Sequence, residues 1–210
     1  MIKTPIERGS LLLHGWQNRR PAGHWQHWLA DRLTDLGHQV SYPQLPDPDH
    51  PDLEQWLAEL HRHLAALPGQ DRTVICHSLA CLLWLHAAAR QVLPIPVDRV
   101  LLVAPPSTSF VVQHAEIAAF AAPPVTAEQL SAAAKDTRIV AGDNDPCCPE
   151  GAAVHYGRPL GLRTDVLPGA GHLDLEAGYG PWPSLLDWCR SPSRDPAIAC
   201  RPGRAEDPRP

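Results

Sequence analysis

The chain has 210 residues, 44% of them hydrophobic, and a formal net charge of −5. That length accommodates one domain with a sizeable core, and the mixed-sign, mildly acidic balance argues against nucleic acid or an anionic membrane as a partner. No run of about 18 apolar residues marks a transmembrane helix, and Met1 to Arg8 lacks the apolar stretch of a secretory signal, so the expectation is a cytoplasmic protein.

In chain order, apolar runs alternate with helical patterns. A strand at 11–14 runs into His14-Gly15-Trp16, and a helix follows at 23–36. His24 and His27 lie three apart on that helix, a spacing that suits a metal; with no acid to complete a set, a solvated helix face is the better reading, and no metal site is expected. A strand at 39–42 precedes a helix at 53–66, where Leu53, Trp56, Leu57, Leu60 and Leu64 recur with helical period and Asp52 stands as cap. Strands at 73–76 and 99–103 bracket an alanine-rich helix at 79–90. Residues 107–134 form the expected small cap, with a helix at 127–134, and its shortness implies an open site and a small substrate. Strands at 138–141 and 164–167 and helices at 149–156 and 183–189 complete a single domain over 1–190. The polar, proline-rich stretch 191–210 reads as a disordered tail. Strands alternating with helices imply an α/β fold: a doubly wound, mainly parallel sheet of about six strands with helices on both faces. In such sheets ligands sit at the carboxyl ends of the strands.

Three segments carry chemistry, and each falls just after an expected strand. Cys76-His77-Ser78-Leu79-Ala80 places a serine between small residues at a strand-to-helix turn, the layout of a nucleophile elbow. Cys76 and Ala80 stand where glycine is usual. Asp143-Asn144-Asp145-Pro146 ends one strand and Gly169-Ala170-Gly171-His172 follows another. The chain order Ser78, Asp145, His172 is that of α/β-hydrolase triads. A serine hydroxyl needs an imidazole to take its proton, and a buried carboxylate must fix the imidazole tautomer. Asp143 competes with Asp145 for the acid's role, since it lies nearer the strand end. Oxyanion donors are expected from the amides of Trp16, with Gln17 as the alternative, and Leu79. His14, Trp16, His77 and Trp182 are candidate pocket residues; His14 and His77 suit loop-bracing roles better than catalysis. The six cysteines include neither a Cys-x-x-Cys metal knuckle nor a secreted framework and are expected as reduced thiols.

Leu-His-Gly-Trp, His24-Trp25, Cys-His-Ser-Leu-Ala, Asn144-Asp145-Pro146 and Gly171-His172 through Gly180-Pro181-Trp182-Pro183 together resemble the small, YdeN-like serine hydrolases related to retinoblastoma-binding protein 9. The likeness runs from Leu11 to Cys189. It implies a compact α/β-hydrolase fold with a triad of Ser78, Asp145 and His172. The departure is Cys76, where that family generally has glycine. The preferred Asp145 rests on the proline that follows the family's acid.

These readings lead to a serine hydrolase of small carboxylic esters or related acyl compounds, needing no cofactor. The alternative is a catalytically weak hydrolase-fold protein that acts as a protein-binding module, motivated by Cys76 in the crowded elbow; any such protein partner is unidentified.

Overall fold

The computed structural model describes residues 7–191 and 196–201. Strands β1 (Arg8–Leu13), β2 (Gln39–Ser41), β3 (Asp71–His77), β4 (Val97–Val103), β5 (Ala134–Gly142) and β6 (Arg163–Leu167) form one six-stranded sheet in the order β2-β1-β3-β4-β5-β6. Every pairing is parallel. The chain starts at β1, steps out to the β2 edge, returns past β1 to β3, and then moves steadily toward β6. The strand order therefore reverses between β1 and β3, and the crevice beyond their carboxyl ends is where a ligand fits such a sheet.

Helices α1 (Trp25–Asp35), α2 (Leu53–Ala65), α3 (Leu79–Arg90), α4 (Thr108–Val111), α5 (Ala127–Ala133), α6 (Arg158–Leu160) and α7 (Pro183–Arg190) flank the sheet, with a short 3₁₀ turn at Ala118–Phe120. Successive strand residues point to opposite faces, and the sequence is apolar at both. Leu11, Leu13, Val74, Cys76, Val100 and Leu102 join one core with residues of α2, α3 and α5. Leu12, Ile75, Leu101, Val103 and Val140 join a second core with residues of α1 and α7. A strand buried on both faces reads as a continuous apolar run, which is why Val74-Ile75-Cys76 and Leu101-Leu102-Val103 carry no polar alternation. Helix α3 is buried from Leu79 through Ala88, as a helix apolar all round must be.

The main helix starts follow their caps. Asp52 Oδ1 accepts from the Gln55 amide at 2.8 Å to open α2, and Thr126 with Gln129 forms a reciprocal capping box on α5. The expected helix at 149–156 is instead a π-helical turn, Ala153–Gly157, followed by the single turn α6. Gly151, with a φ of 80°, sits ahead of that turn in a conformation no helix uses.

Residues 196–201 of the stretch expected to be disordered are packed. Ile198 is buried, the Ala199 carbonyl accepts from the Trp182 indole at 2.7 Å, and the Pro196 carbonyl accepts from Arg138 at 2.9 Å. The remainder of that stretch, 192–195 and 202–210, lies outside the described residues.

Candidate active site

Ser78 is the residue between β3 and α3, with φ 54° and ψ −122°. A non-glycine residue there bears strain of roughly 1–3 kcal/mol and persists only where its surroundings over-determine it. Here the Ser78 amide donates to the Val103 carbonyl at 2.9 Å, and its own carbonyl accepts from the Cys81 amide at 2.9 Å. One anchor ends the central strand β4 and the other lies in the first turn of the buried helix α3. Cys76 is fully buried with its side chain in the core on the α3 side, so a residue larger than glycine is accommodated two positions before the serine. All six cysteines are free.

The loop after β1 comes directly against the elbow. A Cβ on Gly15 would stand 2.7 Å from Ser78 Cβ and 3.2 Å from Ser78 Oγ. Glycine at 15 is what lets this backbone lie beside the hydroxyl. The Gln17 amide donates to the Pro48 carbonyl at 2.8 Å, which removes it as an oxyanion donor and leaves Trp16 and Leu79 from the expected set.

His172 meets both partners. Its Nε2 lies 2.8 Å from Ser78 Oγ, and its Nδ1 lies 2.9 Å from each carboxylate oxygen of Asp145. Nδ1–H therefore donates to the carboxylate, and Nε2 is the acceptor for the serine proton. Asp145 is buried. The two acids also separate cleanly. Asp143 Oδ1 accepts from the Gly169 amide at 2.7 Å, and Asn144 Oδ1 accepts from the Gly171 amide at 2.8 Å. Those two residues hold the turn that carries the histidine, while Asp145 holds the histidine itself. Gly142 is needed for the same approach: a Cβ there would lie 2.3 Å from the Gly171 carbonyl oxygen.

Burial disfavours a charged His172, but the Asp145 hydrogen bond and the adjacent Cys147 oppose it, and the net result is a pKa raised above the ordinary 6.5. The backbone of residues 172 and 173 is braced by two side chains. The His77 Nε2–H donates to the His172 carbonyl at 3.1 Å, and the Trp25 indole donates to the Leu173 carbonyl at 2.8 Å. Burial, with His24 and His172 close by, holds the His77 pKa well below 6.5, so this ring stays neutral.

A cleft of about 400 Å³ opens over Ser78, and Trp16, His24, His77, His172 and Asp174 are among its lining residues. Two of the expected pocket residues are therefore in place, Trp16 and His77. Two are not. His14 is buried beneath the loop, where Nδ1–H donates to the Gly15 carbonyl at 2.9 Å and Nε2 accepts from the Leu45 amide at 2.8 Å. Burial depresses its pKa to about 4, in keeping with a neutral ring that uses one nitrogen as an acceptor. Trp182 is buried in the second core, edge-on to Trp25 at 5.6 Å and against Tyr179 at 4.8 Å.

His24 is the residue that the sequence reading misplaces. It is not on a solvated face. It is the N-cap of α1, its Nδ1 accepting from the Gln26 amide at 3.2 Å. The remaining nitrogen, Nε2, is buried without a protein partner. Burial lowers its pKa to about 4, against the pull of Asp174. The segment 107–134 contributes no residue to the cleft lining, although the His114 ring packs on Trp16 at 5.1 Å.

A model of the serine hydrolase family matches residues 10–190. YdeN of Bacillus subtilis (strain 168) is 33% identical over 70 residues, a stretch covering 33% of this chain and 36% of that protein's length, so the aligned part is about a third of the relative. The crystal structure of the B. subtilis ydeN gene product superposes with a TM-score of 0.74 at 21% identity, covering 86% of this chain and 95% of that one. A YdeN-like hydrolase from Pectobacterium atrosepticum gives a TM-score of 0.66 at 23% identity, over 87% and 89% of the two chains. The esterase domain of a Rhodothermus marinus protein gives 0.56 at 16% identity, over 82% and 80%. These structural likenesses are to α/β-hydrolase folds. No helix among the described residues is long and apolar enough to cross a membrane.

Proposed function

The chain belongs to the serine hydrolase family, and we propose that it cleaves small carboxylic esters or related acyl compounds through an acyl-Ser78 intermediate. The observation that carries this reading is the 2.8 Å approach of His172 Nε2 to Ser78 Oγ, with Asp145 on the opposite nitrogen.

His172 takes the Ser78 proton as Oγ adds to the acyl carbonyl. The oxyanion that forms accepts from the Trp16 and Leu79 amides, donors fixed before the charge appears. His172 then gives its proton to the leaving oxygen, the ester C–O bond breaks, and the acyl group remains on Ser78. A water loses a proton to His172, adds to the acyl carbon, and displaces Ser78, which regains that proton. Asp145 keeps Nδ1 protonated and stabilises the imidazolium at each step. The residues need no cofactor for this cycle. The modest cleft volume supports a small substrate, and the burial of the Cys76 side chain in the core favours this reading over a catalytically weak binding module.

The test is intact-mass spectrometry after exposure to a fluorophosphonate probe. One adduct on the wild type and none on Ser78→Ala is the expected result. Equal labelling of both proteins would sink the assignment, as would equal hydrolysis of a short-chain activated ester.

A further inference from the structure

We propose that Asp145, Cys147 and His172 form a binding site for a borderline-soft divalent cation such as Zn²⁺, and that its occupation switches the hydrolase off. One ligand atom from each residue lies within 4.8 Å of the others: a carboxylate oxygen, the Cys147 sulfur and an imidazole nitrogen. Thiolate, imidazole and carboxylate are the ligand types that zinc takes, and three protein ligands leave a fourth tetrahedral position open to water.

The cluster is held rather than incidental. The Cys147 amide donates to Asp145 Oδ1 at 2.8 Å, and the Cys147 carbonyl accepts from the Ser107 amide at 2.8 Å. Both main-chain groups of residue 147 are pinned, so the thiol is confined to the neighbourhood of the acid and the imidazole. Cys147 is only partly buried, which gives an ion a path in. Cys148, the next residue, is buried and outside the cluster.

The consequence for the triad follows from proton bookkeeping. The nitrogen that faces Asp145 is Nδ1. An ion there replaces the Nδ1 proton of the neutral ring, and the ring, to remain neutral, carries its proton on Nε2. The Cys147 thiol releases its proton to solvent. The two charges of the ion are then matched by the thiolate and the carboxylate. His172 Nε2, now a donor, no longer accepts the proton of Ser78, and the nucleophile is not activated. Binding itself depends only on the three ligands; the inhibition rests on the hydrolase reading above.

The experiment uses the full chain and two readouts. Co²⁺ is titrated into wild type and Cys147→Ser, with near-ultraviolet thiolate-to-cobalt charge transfer as the signal. Serine keeps both main-chain bonds of residue 147, and fluorophosphonate labelling of each protein is compared with its own metal-free rate. The expected outcome is a charge-transfer band in wild type that is absent from Cys147→Ser. Zn²⁺ should block fluorophosphonate labelling of wild type, reversibly on adding a chelator, and leave Cys147→Ser labelled. No band, or a band that persists in the variant, overturns the site. Labelling blocked equally in both proteins overturns the switch. Failure of metal-free wild type to label would count against the hydrolase reading alone, while the cobalt band would still decide the metal site.

Discussion

Gly15 and Ser78 are in backbone-to-side-chain contact, with room for no atom between them: a Cβ on Gly15 would stand 2.7 Å from Ser78 Cβ. The end of β1 and the end of β3 thus converge on one hydroxyl. Gly15→Ala must push the β1 loop or the elbow apart by a fraction of an ångström. Displacements of about 1 Å in a positioned site cost on the order of 100-fold in rate, and we expect a loss of about that order in kcat/KM. Far-ultraviolet circular dichroism should stay native. A near wild-type rate in a folded Gly15→Ala protein would mean that this contact does not set the nucleophile's position.

Asp145 and Asp143 are two residues apart and do different work, so their amide variants should differ. Asp145→Asn leaves the shape but no longer fixes the Nδ1–H tautomer of His172. Loss of the acid from a Ser-His-Asp triad with geometry retained costs about four orders of magnitude in turnover. Asp143→Asn removes a charged acceptor from the Gly169 amide and should cost roughly 10-fold or less, an effect about as large as one hydrogen bond. The raised pKa of His172 places the rising limb of the wild-type kcat/KM profile above pH 6.5, because the ring acts only after losing its second proton. Comparable turnover losses in the two variants would reverse the assignment of the acid.

Buried neutral histidines predict an acid limit to stability. His14 and His24 are both depressed from 6.5 to about 4. A group whose folded pKa lies below its unfolded value stabilises the fold above the unfolded pKa and loses that contribution as pH falls toward the folded one. The window is therefore pH 6.5 down to about 4. Each group should contribute a loss on the order of 2 kcal/mol by about pH 5. His172, raised in the folded state, acts in the opposite sense: its stabilisation is full below 6.5 and declines as pH rises above it. Urea denaturation of wild type and His14→Gln at neutral pH and near pH 5 checks this. The variant should be less stable at neutral pH, having lost an acceptor for the Leu45 amide, yet fall less on acidification. Parallel falls in the two proteins would show that His14 does not carry the acid limb.

The sheet was legible because its strands are buried on both faces, so each appears as an unbroken apolar run: Leu11 to Leu13, Val74 to Cys76 and Leu101 to Val103 are such runs. That Ser78, Asp145 and His172 come together was legible because each follows a strand in an order with a chemical meaning. Which residues near those motifs face the cleft was not legible. His14 is captured from below by the Leu45 amide, a partner in the loop after β2 that no spacing in the β1 motif reveals. His24 looked like a surface residue because helical spacing says nothing about which end of a helix reaches the crevice. As N-cap, it ends up at the mouth of the β1–β3 crevice instead. Residues 196–201 carry no periodicity, and their packing depends on carbonyl acceptors for Trp182 and Arg138, which composition does not encode.

Cys76 tests whether the departure from glycine in the elbow limits the enzyme. Its side chain sits in the core beside α3, and burial raises its thiol pKa well above the usual range, so it is inert to thiol reagents near neutral pH. Cys76→Gly would remove a buried side chain and add backbone freedom to a strand interior. Glycine in a strand costs roughly 0.5–1 kcal/mol relative to alanine, and the lost apolar contacts add to that, for a total of about 1–2 kcal/mol. The Ser78 backbone is fixed by Val103 and Cys81 rather than by residue 76, so turnover on an activated ester should stay within about 3-fold of wild type, a change of under 1 kcal/mol in the barrier. Denaturant midpoint and kcat/KM, measured on the same preparation, separate the two effects. A stable Cys76→Gly protein with sharply higher turnover would mean that the cysteine restrains the elbow, and that the native geometry around Ser78 is not set by the Val103 and Cys81 bonds alone.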